Sequence, residues 1–130
     1  MSTDSTTQQT DSIAQLQSAV RTFAEARDWQ PFHTPKNLAM ALAVEAAELM
    51  EHFQWATAEQ SEQPDAAKRA EIGAEMSDVL IYLIRMADVM GIDLLVAAQH
   101  KLLHNARKYP VEQARGNAKK YTQLQPDEPA

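Results

Sequence analysis

Two carboxylate pairs, Glu45/Glu48 and Glu75/Asp78, constrain this chain more than any other feature, because each interrupts an otherwise apolar helical stretch. The first pair lies within Leu38-Ala39-Met40-Ala41-Leu42-Ala43-Val44-Glu45-Ala46-Ala47-Glu48-Leu49, the second within Glu75-Met76-Ser77-Asp78-Val79-Leu80-Ile81-Tyr82-Leu83. Residues three apart share a helix face, so each pair can aim two oxygens at one point. At 100° per residue Leu38, Leu42, Glu45 and Leu49 fall together. Glu45 therefore sits in the middle of a leucine stripe, with Glu48 at its edge and Trp55 and His52 near the Glu48 line. Acids in such places are costly unless something compensates their charge. A divalent cation would compensate it, which makes the pairs the best clue to function.

The rest of the chain reads as helix as well. Asp11 or Ser12 caps a first helix whose apolar stripe is Ile13, Leu16, Val20, Phe23 and Ala24. Thr34-Pro35 starts a second, threonine as N-cap and proline at the first helical position, running to about residue 57 before the polar stretch 57–64. Asp65 opens a third helix that ends at Gly91, with Met76, Val79, Leu83 and Met86 expected on its core face and Gly73 as a loosening point. Asp93 restarts a fourth that stops before Pro110. No period-2 strand pattern and no internal repeat is visible, so the fold class is all-α. Residues 1–11 and 123–130 are polar and aperiodic and are expected to be disordered tails around one domain spanning 12–122.

Composition removes several function classes. With no cysteine, neither disulfides nor thiolate metal sites are possible, and a reducing cytoplasm is the natural setting. The N-terminal ten residues have no basic segment and no apolar run, so they are not a secretory signal, and no apolar stretch is long enough to cross a bilayer. A formal charge of −6 argues against nucleic acid or an anionic membrane as partner. Three glycines, Gly73, Gly91 and Gly116, cannot build a Gly-rich phosphate loop, so phosphate recognition would fall to metal and side chains.

Four acids on two neighbouring helices must take up protons or gather cations. Hard oxygen ligands without cysteine suit Mg²⁺, with Mn²⁺ as a substitute. The competing account has them as solvated acids paired with Arg69 or Arg85. A carboxylate-bridged di-iron centre requires Glu-x-x-His on two helices. The residues three before His33, His52, His100 and His104 are Gln30, Leu49, Ala97 and Lys101, so that arrangement is excluded.

The C-terminal third is basic. Lys101, Asn105 and Lys108 form one polar stripe beside Leu95, Ala98 and Leu102, followed by Arg115, Lys119 and Lys120. This stripe would hold a polyphosphate, or else is an ordinary solvated face. Trp29, Trp55 and Tyr82 offer flat surfaces for a nucleobase, or else are core.

Assembled in this order, the sequence resembles the MazG-like superfamily of all-α nucleoside triphosphate pyrophosphohydrolases, and within it is similar to the dCTP pyrophosphatases. The superfamily pattern Glu-x-x-Glu then Glu-x-x-Asp is matched by Glu45/Glu48 and Glu75/Asp78, with 26 residues between. Longer stretches sharpen it: Ala26-Arg27-Asp28-Trp29, Phe32-His33, Phe53-Gln54-Trp55, Ser77 through Leu83, Lys108-Tyr109-Pro110 and Lys120-Tyr121-Thr122. The similarity spans roughly residues 13–124.

The resemblance implies a four-helix bundle that assembles as a helical dimer or dimer of dimers, with sites shared between subunits. It implies Mg²⁺-dependent hydrolysis of a deoxynucleoside triphosphate, dCTP or a modified dCTP, to the monophosphate and pyrophosphate. Glu45, Glu48, Glu75 and Asp78 would hold the metal, with Glu45 or Glu48 orienting or deprotonating water. Trp29, Trp55, Asp78 and Tyr82 would line the nucleotide pocket, and Lys101, Asn105, Lys108 and Tyr109 would face the phosphates. One departure concerns specificity: where those enzymes carry a substrate-facing histidine on the first helix, this chain has Val20. A pyrophosphohydrolase of broader or different preference, for dUTP or non-standard purine nucleotides, is the enzymatic alternative. A helical adaptor or nucleotide sensor with structural acids is the non-enzymatic one.

Overall fold

Helix caps chosen by the sequence set where each element begins. A computed structural model describes residues 12–124, and every regular element among them is helical. The stretches 1–11 and 125–130, expected to be tails, lie outside the described residues. Ser12 caps α1 (Ile13–Glu25) by accepting from the Gln15 N–H at 3.1 Å, which decides between the two cap candidates. Thr34 caps α2 (Pro35–Glu51) with Pro35 in the first turn. Asp65 caps α4 (Ala66–Met90) and Asp93 caps α5 (Leu94–Lys108). Each such cap satisfies an amide that would otherwise be orphaned, worth about 1 kcal/mol. Gly91 closes α4 in the left-handed region at φ 66°, and Ile92 donates back to the Ala87 carbonyl at 2.8 Å. This is a Schellman ending, which a Cβ at residue 91 would strain. Gly73 does not interrupt α4.

The second helix is shorter than its sequence pattern suggests. It ends at Glu51, not near residue 57, because the His52 and Phe53 amides reach back three residues to the Leu49 and Met50 carbonyls, tightening the last turn. Thr57 and Gln60 then form a reciprocal capping box that starts the one-turn α3 (Ala58–Ser61) inside the stretch expected to be irregular. After α5 come a short α6 (Val111–Ala114) and a 3-10 turn at Tyr121–Gln123.

The chain forms two compact units, one ending at Ile92 and one beginning at Asp93. In the first, α2 packs along α4 and α1 packs against α4. Its buried residues are Ala24, Leu38, Ile84 and Ala87, together with the charged Arg85. The expected core face of α4 is therefore corrected. Met76 is 57% exposed and Leu83 36% exposed, while the buried positions on that helix are Ile84, Arg85 and Ala87. Met40, Val44 and Met50 on α2 and Leu80 on α4 are exposed too. Helical periodicity identifies an apolar face but says nothing of what covers it. No described helix is long and apolar enough to cross a membrane.

Candidate functional site

Packing α2 along α4 turns the Glu45/Glu48 pair toward Glu75. One oxygen from each of Glu45, Glu48 and Glu75 lies within 4.8 Å of the other two, and all three side chains are half-buried. The Oε2 atoms of Glu45 and Glu75 are buried without a hydrogen-bond partner. Desolvation is the main force on the Glu45 carboxyl, followed by the hydrogen bond and charge of Glu48 and the charges of Asp78 and Glu75. Together they push it up to about 7. Among the described residues no lysine or arginine pairs with Glu45, Glu48, Glu75 or Asp78: Lys68 pairs with Glu71 at 3.9 Å and Arg85 with Asp88 at 3.4 Å. Arg69 lines a separate cavity with Phe53 and Met76. The salt-bridge account of the acids therefore does not hold. Clustered carboxylates with orphaned, buried oxygens and no protein cation fit a divalent cation, which would supply both the charge and the missing ligand contacts.

Glu48 and Glu75 also border an open, polar groove of about 560 Å³ shared with Glu51, His52, Gln54 and Lys68. His52 Nδ1 is buried there without a partner. The groove is wide enough for a polar ligand to approach the cluster.

Asp78 stands apart from the three glutamates. It lines a second cavity of about 290 Å³, mostly apolar, with Val20, Phe23, Ala24, Trp29, His33, Ile81, Tyr82 and Arg85. Its charge still reaches Glu45. The four acids grouped by sequence spacing thus become three clustered carboxylates and one at the edge of an apolar cavity.

Local chain geometry places Trp29 in that pocket. Asp28 adopts φ 54°, a left-handed conformation that aspartate tolerates, and Trp29 N–H then donates to the Ala24 carbonyl at 3.1 Å. The indole meets Phe23 edge-on at 5.7 Å, while the Arg27 guanidinium covers the Phe23 ring at 3.6 Å. Tyr82 comes from the flank of α4, one turn beyond Asp78. Trp55, by contrast, is 89% exposed and lines neither cavity.

Sequence reasoning missed a charged network in the wall of this pocket. Arg21 grips Asp88 through both oxygens at 2.6 and 2.8 Å, Asp88 also accepts from Arg85, and Arg85 Nε donates to His33 Nδ1 at 3.0 Å. The Arg21 hydrogen bond, opposed by burial, holds the Asp88 carboxyl below its usual range. The only sequence signal was the i, i+3 spacing of Arg85 and Asp88; the contacts to Arg21 and His33 span 67 and 52 residues.

In the second unit, Lys101, Asn105 and Lys108 share one side of α5, with Asn105 and Lys108 half-buried and Lys101 exposed. Lys108 Nζ sits 4.5 Å from the centre of the Tyr121 ring, which meets Tyr109 edge-on at 6.4 Å. The charge of Lys108, then burial, then Lys101 and Arg107, hold the neighbouring His104 below its ordinary value. The stripe is a concentrated positive face braced by the C-terminal tyrosines.

Comparison with known proteins agrees with this chemistry. The family model described as the MazG-like family matches residues 40–124. The dCTP pyrophosphatase 1 of Homo sapiens is 45% identical over 104 residues, covering 78% of this chain and 61% of that protein. The dCTP pyrophosphatase 1 of Rattus norvegicus is 47% identical with the same coverage of both. The chain thus spans about three fifths of the length of the curated relatives it matches. A crystal structure of a pyrophosphatase from Archaeoglobus fulgidus superposes with a TM-score of 0.72 at 38% identity, covering 75% of this chain and 92% of that one.

Proposed function

The chain belongs to the MazG-like family, and from that premise we propose that it is a Mg²⁺-dependent nucleotide pyrophosphohydrolase that converts dCTP, or a modified dCTP, to the monophosphate and pyrophosphate. The observation that carries this reading is the cluster of Glu45, Glu48 and Glu75 with two buried oxygens lacking any partner. When bound, Mg²⁺ (or Mn²⁺ in its place) offsets the charge of the phosphates and of the leaving pyrophosphate. Glu45, Glu48, Glu75 and Asp78 would hold it. Water adds to one phosphorus of the α–β anhydride as the bridging P–O bond breaks, and its proton passes to Glu45 or Glu48.

Trp29, Asp78 and Tyr82 enclose the nucleoside in the apolar cavity. Lys101, Asn105, Lys108 and Tyr109 are assigned to phosphate oxygens, a role that suits the positive face of α5. The large exposed surfaces of Met40, Val44, Met50 and Met76 support burial against a second copy, in a dimer or a dimer of dimers, and Trp55 is offered to a site completed there. The reaction belongs to nucleotide-pool cleansing in the cytoplasm. A panel of nucleoside triphosphates with Mg²⁺, scored for pyrophosphate and not for single phosphate, tests the assignment. Faster turnover of dUTP or a purine nucleotide would refute the substrate, and no pyrophosphate from any nucleotide would refute the activity.

A further inference from the structure

Resting on the pyrophosphohydrolase activity proposed above, we infer that the polar groove beside the glutamate cluster receives the two outer phosphates of the triphosphate, which leave as pyrophosphate, and that Lys68 grips them there.

The placement follows from the order of residues along α4. Tyr82 lines the apolar cavity, Glu75 belongs to the carboxylate cluster, and Lys68 lines the groove together with Glu75. These three positions are seven residues apart, so they fall on one face of the helix, about 10 Å from one to the next. α2 repeats the order in reverse. Glu45 belongs to the cluster alone, Glu48 to both cluster and groove, and Glu51, His52 and Gln54 to the groove alone. Cavity, cluster and groove are therefore successive stations along one helix pair. A nucleotide with its nucleoside in the cavity and its α–β link at the cluster extends its outer phosphates into the groove.

The groove holds the donors such phosphates need. Lys68 Nζ stands 3.9 Å from Glu71, beyond hydrogen-bond length, on a side chain 42% exposed. Such a pair is worth little, and the long stem leaves the ammonium free to swing to a better acceptor. The side chains of Gln54 and His52 have no hydrogen-bond partner among the described residues, and His52 Nδ1 is buried. An ammonium, an amide and an imidazole thus border one space of about 560 Å³ without strong partners of their own.

Entry depends on the cation. Glu48, Glu51 and Glu75 set three carboxylates against the one ammonium, so a free polyanion is repelled. A divalent cation on Glu48 and Glu75 reverses the charge next to the cluster. When the α–β P–O bond breaks, water supplies the replacing oxygen and its proton passes to Glu45 or Glu48, as above. Lys68 stays protonated and offsets the charge of the departing pyrophosphate.

The full chain should be titrated with pyrophosphate by calorimetry, with and without Mg²⁺. Wild type is expected to bind it only with Mg²⁺. Lys68→Met should weaken that binding about 10- to 100-fold, the size of one lost charge-assisted hydrogen bond, and lose a similar factor in kcat/KM on dCTP. Lys68→Arg should keep most of both, and Glu71→Gln, which releases Lys68, should weaken neither. Inorganic phosphate, too short to touch the metal and Lys68 together, should lose far less in Lys68→Met. Mg²⁺ alone should bind wild type and Lys68→Met alike, and their thermal midpoints should match, because only an exposed ion pair is lost. Pyrophosphate affinity unchanged in Lys68→Met, or equal with and without Mg²⁺, overturns the assignment of the groove. If dCTP is hydrolysed and Lys68→Met behaves as wild type, the activity stands and Lys68 has no part in it. If no nucleotide yields pyrophosphate, the activity itself has failed and the leaving-group role falls with it.

Discussion

Two groups of charges lie on α4 only ten positions apart, at Glu75 and Arg85, and the chain treats them in opposite ways. Around Arg85 every charge has a protein partner: Arg21 holds Asp88, Asp88 holds Arg85, and Arg85 holds His33. Around Glu75 no protein cation among the described residues answers the carboxylates, and two of their oxygens are buried without a hydrogen-bond partner. Buried polar atoms are rarely left that way unless another species completes them. The finished network is closed within the protein; the unfinished one fits a cation supplied from outside. The same helix therefore carries a closed ionic network and an uncompensated carboxylate cluster, distinguishable by who supplies the counter-charge.

The largest effect should come from breaking the unfinished side. Glu48→Gln keeps the size of the side chain while removing one ligand charge and one candidate base. Pyrophosphate release from dCTP should drop by about 10³-fold, comparable to losing a transition-state charge contact. The thermal midpoint of the metal-free protein should not fall, because the substitution relieves repulsion. An adaptor with structural acids would show the reverse, a less stable protein whose partner binding is otherwise intact.

Breaking the finished side should cost stability instead. Asp88→Asn leaves the buried Arg85 guanidinium without its carboxylate, and with Asp88 only 13% exposed the loss should be about 2–4 kcal/mol in urea unfolding. Adding Mg²⁺ sharpens the contrast. At a hundred times its dissociation constant a ligand specific for the folded state contributes about 2.7 kcal/mol. That increment should appear in wild type and in Asp88→Asn alike, and should vanish in the Glu45→Gln/Glu48→Gln double variant. An increment that survives in the double variant would place the metal elsewhere.

Much of this was legible in the sequence, for reasons that can be named. Caps are local, so Ser12, Thr34, Asp65, Gly91 and Asp93 each marked a helix end within a few residues of their own position. The i, i+3 acid pairs are local too, and the grouping of Glu45, Glu48 and Glu75 followed once the two helices lay side by side, with Asp78 left outside it. What escaped depends on tertiary contact. Arg85 looked like a partner for the acids; Asp88 claims it from one turn along α4, and only the packing of the turn before α2 shows that His33 does too. Met76 and Leu83 satisfied the apolar period yet stay exposed, because periodicity does not say whether the covering surface belongs to the same chain. The end of α2 was missed for a smaller reason: a three-residue tightening and a capping box at Thr57 are both compatible with the residues that a longer helix would use.

The two regions should also differ in how stability responds to pH, an effect that reports on both at once. Glu45 titrates at 4.5 in ordinary surroundings and near 7 in the folded, metal-free chain. Between those values the folded state keeps a proton that the unfolded state has released, so stability must fall as pH rises through this window. Asp88 has the opposite sign: Arg21 lowers its folded value below the ordinary 3.8, so its contribution is present above that pH and is lost as acid protonates it. Thermal melts of the metal-free protein should therefore decline from pH 4.5 to 7 in wild type and flatten in Glu45→Gln. The acid-side loss should be reduced only in Asp88→Asn. Mg²⁺ competes with the Glu45 proton, so saturating metal should cancel the decline in wild type and leave the acid limb unchanged. A Glu45→Gln protein with the wild-type slope between pH 4.5 and 7 would show that the cluster does not hold its carboxyl as the buried, unpartnered Oε2 requires.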